Sequence, residues 1–88
     1  MNITEKSNLT IWEQTDRIKI RFDARPTLAA GGHPVGEVLG LIGSLKAGEV
    51  MEFTTPFLPE PLIVKVKDAG LEVFTREVDG LFVSYFVK

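Results

Sequence analysis

One short stretch, residues 23–34, holds most of the side chains that could carry chemistry. It begins with Asp23 and Arg25 and ends with His33, the only histidine, followed by Pro34. An imidazole accepts or donates a hydrogen bond and ligates metals near neutral pH. Proline is typical of a first helical turn. His33 is therefore predicted at a helix N-terminus, where unpaired backbone N–H groups attract anions.

Three interpretations of His33 are open. The ring packs or bonds locally at the helix entry, or it forms a small anion or ligand site with the amides of Gly31 and Gly32. In the third interpretation it ligates a metal or haem iron. His33 is the only candidate ligand of this kind, because the chain has one histidine and no cysteine. Asp23, Glu60 or a second subunit would then have to complete the site.

Binding is a better prediction than catalysis, and we predict no enzyme, no cofactor and no metal site. No pair of polar residues suggests a general acid and base with a third group to orient them. The Gly31–Gly32 pair lacks the lysine and hydroxyl residue of a phosphate loop. Asp23 and Arg25 either orient His33 or bind an anion, or they satisfy the loop backbone and each other.

The composition is that of one small globular domain. The chain has 88 residues, of which 44% are hydrophobic and 25% are charged. Its net charge of −2 argues against a dedicated nucleic-acid binder. Without cysteine there is no disulfide and no thiol nucleophile. No apolar run approaches a membrane span and no secretory segment is recognisable, so we expect a cytoplasmic protein.

The first predicted element is a strand with one solvent-exposed face. Arg17 to Phe22 alternates strictly, with Ile18, Ile20 and Phe22 on one side and Arg17, Lys19 and Arg21 on the other. The basic side is either a solvated sheet face or a contact for an anionic partner. Residues 1–16 are expected to be a partly disordered lead-in to a domain over residues 17–88. Trp12 in that lead-in docks on the domain or stacks on a ligand.

The first predicted helix runs from Pro34 to Leu45. Its apolar residues recur at helical spacing: Val35, Val38, Leu39, Ile42 and Leu45. Lys46 and Gly48 are expected to end it. A second strip of the helix consists of Gly36, Gly40 and Gly43, which suggests the close approach of a neighbouring helix or a partner.

The rest of the chain predicts strand, helix, strand, strand. Residues 49–55 are a short strand. Residues 62–69 alternate like a strand, but Pro61 before them and Gly70 after them favour a helix. Asp79-Gly80 predicts a hairpin with a two-residue turn, and its apolar second strand is predicted to be central in the sheet.

The order βαβαββ predicts an α/β, or α+β, two-layer sandwich with a four-stranded mixed sheet. Right-handed crossovers place both helices on one face and leave the other open. The open face carries either Phe74 and Tyr85 or Phe82 and Phe86. Exposed aromatics there indicate an association surface, and the alternatives are aromatics that are simply exposed to solvent or that the N-terminal lead-in covers. The predicted interaction surface consists of Arg17, Lys19, Arg21, Phe82 and Phe86.

This order of elements resembles the TusA/SirA family of small sulfur carriers over about residues 18–88. The resemblance rests on Asp23, on the helix start at Pro34, on Leu45-Lys-Ala-Gly-Glu49 and on Val78-Asp-Gly-Leu81. Within the family, the chain most resembles a TusA-related branch. The motifs of that branch correspond here to Asp23-Ala-Arg25, His33-Pro34 and Pro59-Glu-Pro-Leu62.

The family has a Cys-Pro pair where this chain has His33-Pro34. In the family the thiol carries the persulfide, so the resemblance implies the fold without sulfur carriage. We predict a small non-enzymatic binding module that acts through the loop of Asp23, Arg25, Gly31, Gly32, His33 and Pro34 and through the open sheet face. Its partner is a protein, a second copy of the chain or a small anion or ligand. The alternatives are an accessory subunit of a sulfur-relay or redox system and a weak nucleic-acid-binding domain, like the C-terminal domain of a bacterial translation initiation factor that has the same arrangement.

Overall fold

Four strands and three helices make up the part of the chain that the computed structural model describes, residues 17–88. In chain order the elements are β1 (Ile18–Asp23), α1 (Arg25–Ala29), α2 (Val35–Gly43), β2 (Val50–Thr55), α3 (Glu60–Asp68), β3 (Glu72–Val78) and β4 (Leu81–Val87). The predicted order is confirmed, with α1 as an additional short helix in what the sequence indicated to be a loop.

The sheet has the strand order β1-β2-β4-β3. β1 and β2 are parallel, and β4 is antiparallel to both of its neighbours. The last strand is thus central, as its apolar faces predicted. In the β3–β4 hairpin Val78 pairs with Leu81, so Asp79 and Gly80 form the two-residue turn. Both turn residues have positive φ, 51° and 80°, as a type I′ turn requires.

All three helices pack on one face of the sheet and form a two-layer sandwich. They share one core with the strands, in which Val38 of α2, Val66 of α3, Phe53 of β2 and Phe86 of β4 are fully buried. Leu28 of α1 packs against the same core. The two predicted helices therefore lie on the predicted side, and α1 joins them.

The first long helix follows the predicted apolar stripe but ends early. Val38, Ile42 and Leu45 are buried, yet α2 ends at Gly43 rather than at Lys46. Ser44 Oγ donates a hydrogen bond to the Leu41 carbonyl at 2.6 Å, and the Leu45 amide donates to the Ile42 carbonyl at 3.2 Å. These bonds to the third preceding residue tighten the last turn and end the helix.

Of the two expectations for the glycine strip of α2, a neighbouring helix is not found among the described residues, and the approach of a partner stays a prediction. A Cβ added at Gly36, Gly40 or Gly43 would meet nothing within 4 Å. The strip lies on the outer side of α2, away from the stripe that packs on the sheet, so residues 17–88 bring no second helix close to it.

The segment that starts at residue 62, for which both a strand and a helix were considered, is part of helix α3, as predicted. Leu62 and Val66 are buried one turn apart, whereas Val64 between them is exposed. Pro61 occupies the first turn, where its missing N–H costs no hydrogen bond. Lys65 and Lys67 in the last turn complement the helix dipole.

The strict alternation of β1 is interrupted by a bulge. Ile18 pairs with Val50 and Ile20 with Met51, so two steps along β1 match one step along β2. A one-residue shift of this kind turns the following side chains to the other face. Ile18 therefore packs on the open face of the sheet, while Ile20 and Phe22 pack in the main core. The prediction of one shared face for all three was wrong at Ile18.

The open face carries Phe74 and Tyr85, and not Phe82 and Phe86, which were included in the predicted interaction surface. Phe86 is fully buried between sheet and helices. Phe82 precedes Phe86 by four residues on β4, which is two full periods of the strand, and therefore lies on the same, helix-covered side. The inclusion of Phe86 was wrong, because the last strand turns its larger apolar side chains toward the helices.

Candidate functional site

The loop after β1 begins with an ion pair that orders the start of α1. The Arg25 guanidinium donates to both carboxylate oxygens of Asp23, with Nη2 to Oδ2 at 2.6 Å and Nε to Oδ1 at 2.9 Å. The Arg25 backbone amide also donates to Asp23 Oδ1 at 3.0 Å. These bonds hold the pKa of the Asp23 carboxyl below its ordinary value. This geometry corresponds to the predicted role in which Asp23 and Arg25 satisfy the loop backbone and each other.

The glycine pair closes α1 and does not form an anion site. Gly31 has φ of +83°, and its amide donates to the Leu28 carbonyl at 3.0 Å. The Gly32 amide donates to the Thr27 carbonyl at 2.8 Å. This arrangement is a Schellman motif, in which both amides satisfy the last carbonyls of the helix. The hypothesis of an anion held by these two amides is therefore wrong, since both donors are occupied.

The Schellman motif sets His33 at the entrance to α2. Pro34 is buried and is the N-cap of the helix, and its carbonyl accepts the Val38 amide at 2.8 Å. His33 precedes it with an exposed side chain. The predicted place of the histidine at a helix N-terminus is confirmed, and its ring is accessible from solvent.

A second loop, after β2, lies beside the histidine. Because β1 and β2 are adjacent and parallel, the loops that follow them meet at the same end of the sheet. Thr55 ends β2 with a buried hydroxyl that donates to the Phe57 carbonyl at 2.6 Å. The Ile63 amide donates to the Pro59 carbonyl at 2.9 Å, and Pro59 is buried. The second loop is thereby fixed between β2 and α3.

An apolar pocket of about 170 Å³ lies between the two loops. Its lining residues come from α1, the entry to α2, β2 and the entry to α3: Leu28, His33, Pro34, Val35, Phe53, Thr55, Phe57, Pro59, Pro61 and Leu62. The Thr55 hydroxyl is already bonded within the loop. His33 is therefore the side chain at this pocket that can offer a polar contact to an incoming group.

The rim of the pocket extends onto an exposed apolar surface. Phe57 is 50% exposed and the adjacent Leu58 is 43% exposed. Sequence reasoning missed both residues, together with Leu28 and Phe53 inside the pocket. The signal that could have found them is the run Pro56-Phe-Leu-Pro59, in which apolar residues stand between prolines directly after a buried strand.

The basic stripe of β1 lies away from this pocket. Arg21 Nη1 donates to Glu52 Oε1 at 3.0 Å, so that guanidinium is paired on the open face. Arg17 and Lys19 line a shallow depression with Gly48 and Glu49, at the end of β1 opposite to the histidine. The structure therefore separates Arg17 and Lys19 of the predicted interaction surface from the predicted ligand loop.

Residues 17–88 bring together no group of three or more histidine, cysteine, aspartate or glutamate side chains that could hold a metal ion. Within the same range, no helix is both long enough and apolar enough to cross a membrane.

Comparisons of the chain with protein-family models, with curated proteins and with solved structures find no match. The resemblance to the TusA/SirA family stays a prediction from the motifs, and the function has to be argued from the site itself.

Proposed function

We propose that this protein is a small non-enzymatic binding module whose pocket at His33 takes one apolar side chain of a protein partner. The observation that carries the proposal is the pocket itself, which is apolar, open to solvent and continuous with Phe57. Its chemistry favours binding over catalysis. The pocket's lining residues offer His33 no acidic or basic side chain, and the Thr55 hydroxyl among them is bonded to the Phe57 carbonyl.

The size of the pocket supports a single side chain as the occupant. Pockets for cofactors and drug-sized ligands are typically about 300–1,000 Å³, and this one is about 170 Å³. An apolar cavity of roughly 150 Å³ accommodates a benzene ring. One aromatic or branched aliphatic side chain therefore fits, and a nucleotide or haem does not.

The surroundings of the pocket support a protein rather than a free small molecule. Phe57 and Leu58 extend the apolar surface beyond the pocket, as expected where an anchor side chain is surrounded by a contact zone that excludes water. His33 at the edge can hydrogen-bond the backbone of the anchor residue. The open sheet face is the weaker candidate, because Val50 and Tyr85 on it are buried already.

The test is a titration of the ¹⁵N-labelled full chain with indole as an aromatic probe, followed by amide chemical shifts. We expect saturable shifts at Leu28, His33, Val35 and Leu62. The variant Leu28→Phe fills the pocket and should weaken indole binding at least tenfold. The matched control is Val64→Phe, which adds the same group on the exposed side of α3 and should leave the affinity unchanged. Shifts that do not saturate, or that are equal in both variants, would contradict the proposal.

The resemblance to sulfur carriers suggests a setting for such a module, in which it assists a sulfur-relay or redox system as an accessory subunit. With His33 at the position of the family's cysteine, the module would bind a partner's apolar side chain and could not carry sulfur. A partner that binds the wild type and loses affinity for a Phe57→Ser variant, but not for Val64→Ser, would support the module. A partner that binds both variants equally well would count against it.

A further inference from the structure

The end of the sheet that carries the pocket also carries a group of exposed acidic side chains. β1 and β2 both end there, and the Asp79-Gly80 turn lies at the same end, because Phe82 of β4 pairs with Thr55, the last residue of β2. α2 and α3 begin there, since their first turns contribute to the pocket wall. We call this end of the molecule the acidic end. Outside the Asp23–Arg25 pair, its exposed carboxylates are those of Glu37, Glu60, Glu77 and Asp79.

These carboxylates are not neutralised by cations of the described chain. None of them forms an ion pair within residues 17–88. Arg25, in the loop after β1, is already held by Asp23. Arg76 stands opposite Val83 in the register and shares the open face with it, whereas the pocket lies on the helix-covered side. The acidic end therefore keeps an excess of negative charge beside the pocket.

The opposite end of the sheet is the cationic one. β1 and β2 begin there and β4 ends there, because Val87 pairs with Val50. Its exposed cations are Arg17, Lys19, Lys46, Lys67 and Lys88. Positive and negative side chains are equal in number over residues 17–88. The domain is therefore polarised by the distribution of its charges and not by a net charge.

The helix dipoles at the acidic end offset only part of its charge. Glu37 and Glu60 lie in the first turns of α2 and α3, where a carboxylate complements the positive end of the helix. Each helix N-terminus is equivalent to about half an elementary charge, so two of them offset roughly one carboxylate of the group. The surface around the pocket stays acidic.

We propose that the pocket binds a basic segment of a protein partner, in which one apolar side chain enters the pocket and a lysine or arginine beside it faces the acidic end. This inference rests on the proposed function and adds the charge of the partner to it. Glu60 stands between Pro59 and Pro61, which both line the pocket, and Glu37 closely follows the lining residue Val35. Both carboxylates therefore lie within one helical turn of the pocket wall, where charge selects the partner and speeds its approach.

The test compares blocked tripeptides that differ only in the charge beside the anchor. Each has a central phenylalanine, which is flanked on both sides by lysine, by glutamine or by glutamate. Titrations of the ¹⁵N-labelled full chain at about pH 8, where imidazoles are mostly neutral, give the affinities and the amides that shift. Since exposed charge pairs each contribute modestly, we expect the lysine peptide to bind about tenfold more tightly than the glutamate peptide at low salt. At roughly 0.5 M salt the difference should fall to about twofold, because exposed charges are then screened.

Charge-removing variants show whether the preference is local to the pocket. Glu37→Gln combined with Glu60→Gln should reduce the preference to about twofold. The matched control, Asp68→Asn combined with Glu72→Gln, removes the same charge from exposed positions at the opposite end and should leave the preference at its wild-type value. Equal affinities of the lysine and glutamate peptides for the wild type would overturn the inference. A preference that both double variants lose equally would also overturn it, since it would report only the net charge.

Failure of this inference can be distinguished from failure of the proposed function. If indole binds saturably and the peptides show no charge preference, the pocket keeps its function and the basic partner is wrong. If indole does not bind, the proposed function fails and the inference falls with it. Should the glutamine double variant fail to fold, the wild-type shifts decide: the lysine peptide should shift the amides of Val35, Gly36 and Leu62, and shifts confined to other amides would overturn the inference.

A second copy of the chain is the other occupant that the charges allow, through its cationic end. Sedimentation of the unliganded protein at low salt tests it. A monomer at all concentrations supports a separate protein partner. Self-association that grows with concentration and shifts the amides of the pocket would assign the pocket to a second copy and overturn the proposal.

Discussion

The ionisation of Tyr85 is expected to destabilise the fold at alkaline pH. Its side chain is fully buried on β4, and its hydroxyl donates to Glu52 Oε2 at 3.0 Å. Burial first, and the negative charge of Glu52 second, raise the pKa of Tyr85 from 10.0 to about 12. The phenolate would have to form beside a carboxylate and away from water.

The sign and size of the effect follow from proton linkage. As the pH rises, the unfolded chain releases the tyrosine proton first, because the native state holds it more tightly. The contribution of Tyr85 to the free energy of unfolding is complete below pH 10 and is lost between pH 10 and about 12. Each unit of pKa corresponds to about 1.4 kcal/mol, so the loss amounts to about 2 to 3 kcal/mol.

The assay uses the fact that the chain has one tyrosine. Phenolate absorbance gives the pKa of Tyr85 directly in the folded protein and in urea. Urea unfolding at a series of pH values then gives the free energies. The control is Tyr85→Phe, which keeps all lysines and should lose only this part of the pH dependence. A folded-state pKa close to 10 would refute the reasoning, because it would mean that the phenol is in contact with water.

Further predictions concern the loop after β1 and the helix beyond it. A Cβ at Gly32 would lie 2.9 Å from Thr27 Cγ2 and 3.1 Å from its carbonyl oxygen, so Gly32→Ala should cost about 1–3 kcal/mol. Gly36→Ala, in open space on α2, should instead stabilise the fold by up to about 1 kcal/mol. The midpoints of urea unfolding measure the stability of both variants. Equal effects of the two substitutions would contradict the packing at Gly32. Replacing Arg25 with Gln should return the pKa of Asp23 toward 3.8, as followed by carboxyl NMR, since Arg25 lowers it. In the wild type the stabilisation from this pair is present above pH 3.8 and is lost as the pH falls through the lowered pKa. An unchanged pKa in the variant would argue against the ion pair.

Local signals in the sequence were sufficient for the order of the strands and the two longer helices and for the four-stranded mixed sheet, but not for α1. The Asp79-Gly80 pair predicts a two-residue turn, the apolar faces of β4 predict a central strand, and Pro61 predicts the start of a helix. The structure has all three features. The β1 bulge and the end of α2 at Gly43 could not be predicted in this way. They depend on hydrogen bonds between particular backbone groups, which hydrophobic periodicity does not report.

The candidate site was predicted in part. His33 was placed correctly at a helix entry, because Pro34 is a local signal. The hydrogen bonds of the Gly31 and Gly32 amides were not predicted, because α1 was not foreseen and the C-terminus of that helix uses both donors. The apolar walls of the pocket were missed for another reason. They come from β2 and the loop around Phe57, which only the parallel pairing of β1 and β2 brings to His33.

The pocket at His33 can be tested most directly by an isotope-filtered nuclear Overhauser experiment on the full chain with bound indole. The account predicts contacts from the indole ring protons to Phe53 and to the Leu62 methyl groups, together with the His33 ring protons at the edge. Contacts to other surfaces, such as the open face of the sheet, with none to Phe53 and Leu62, would contradict it.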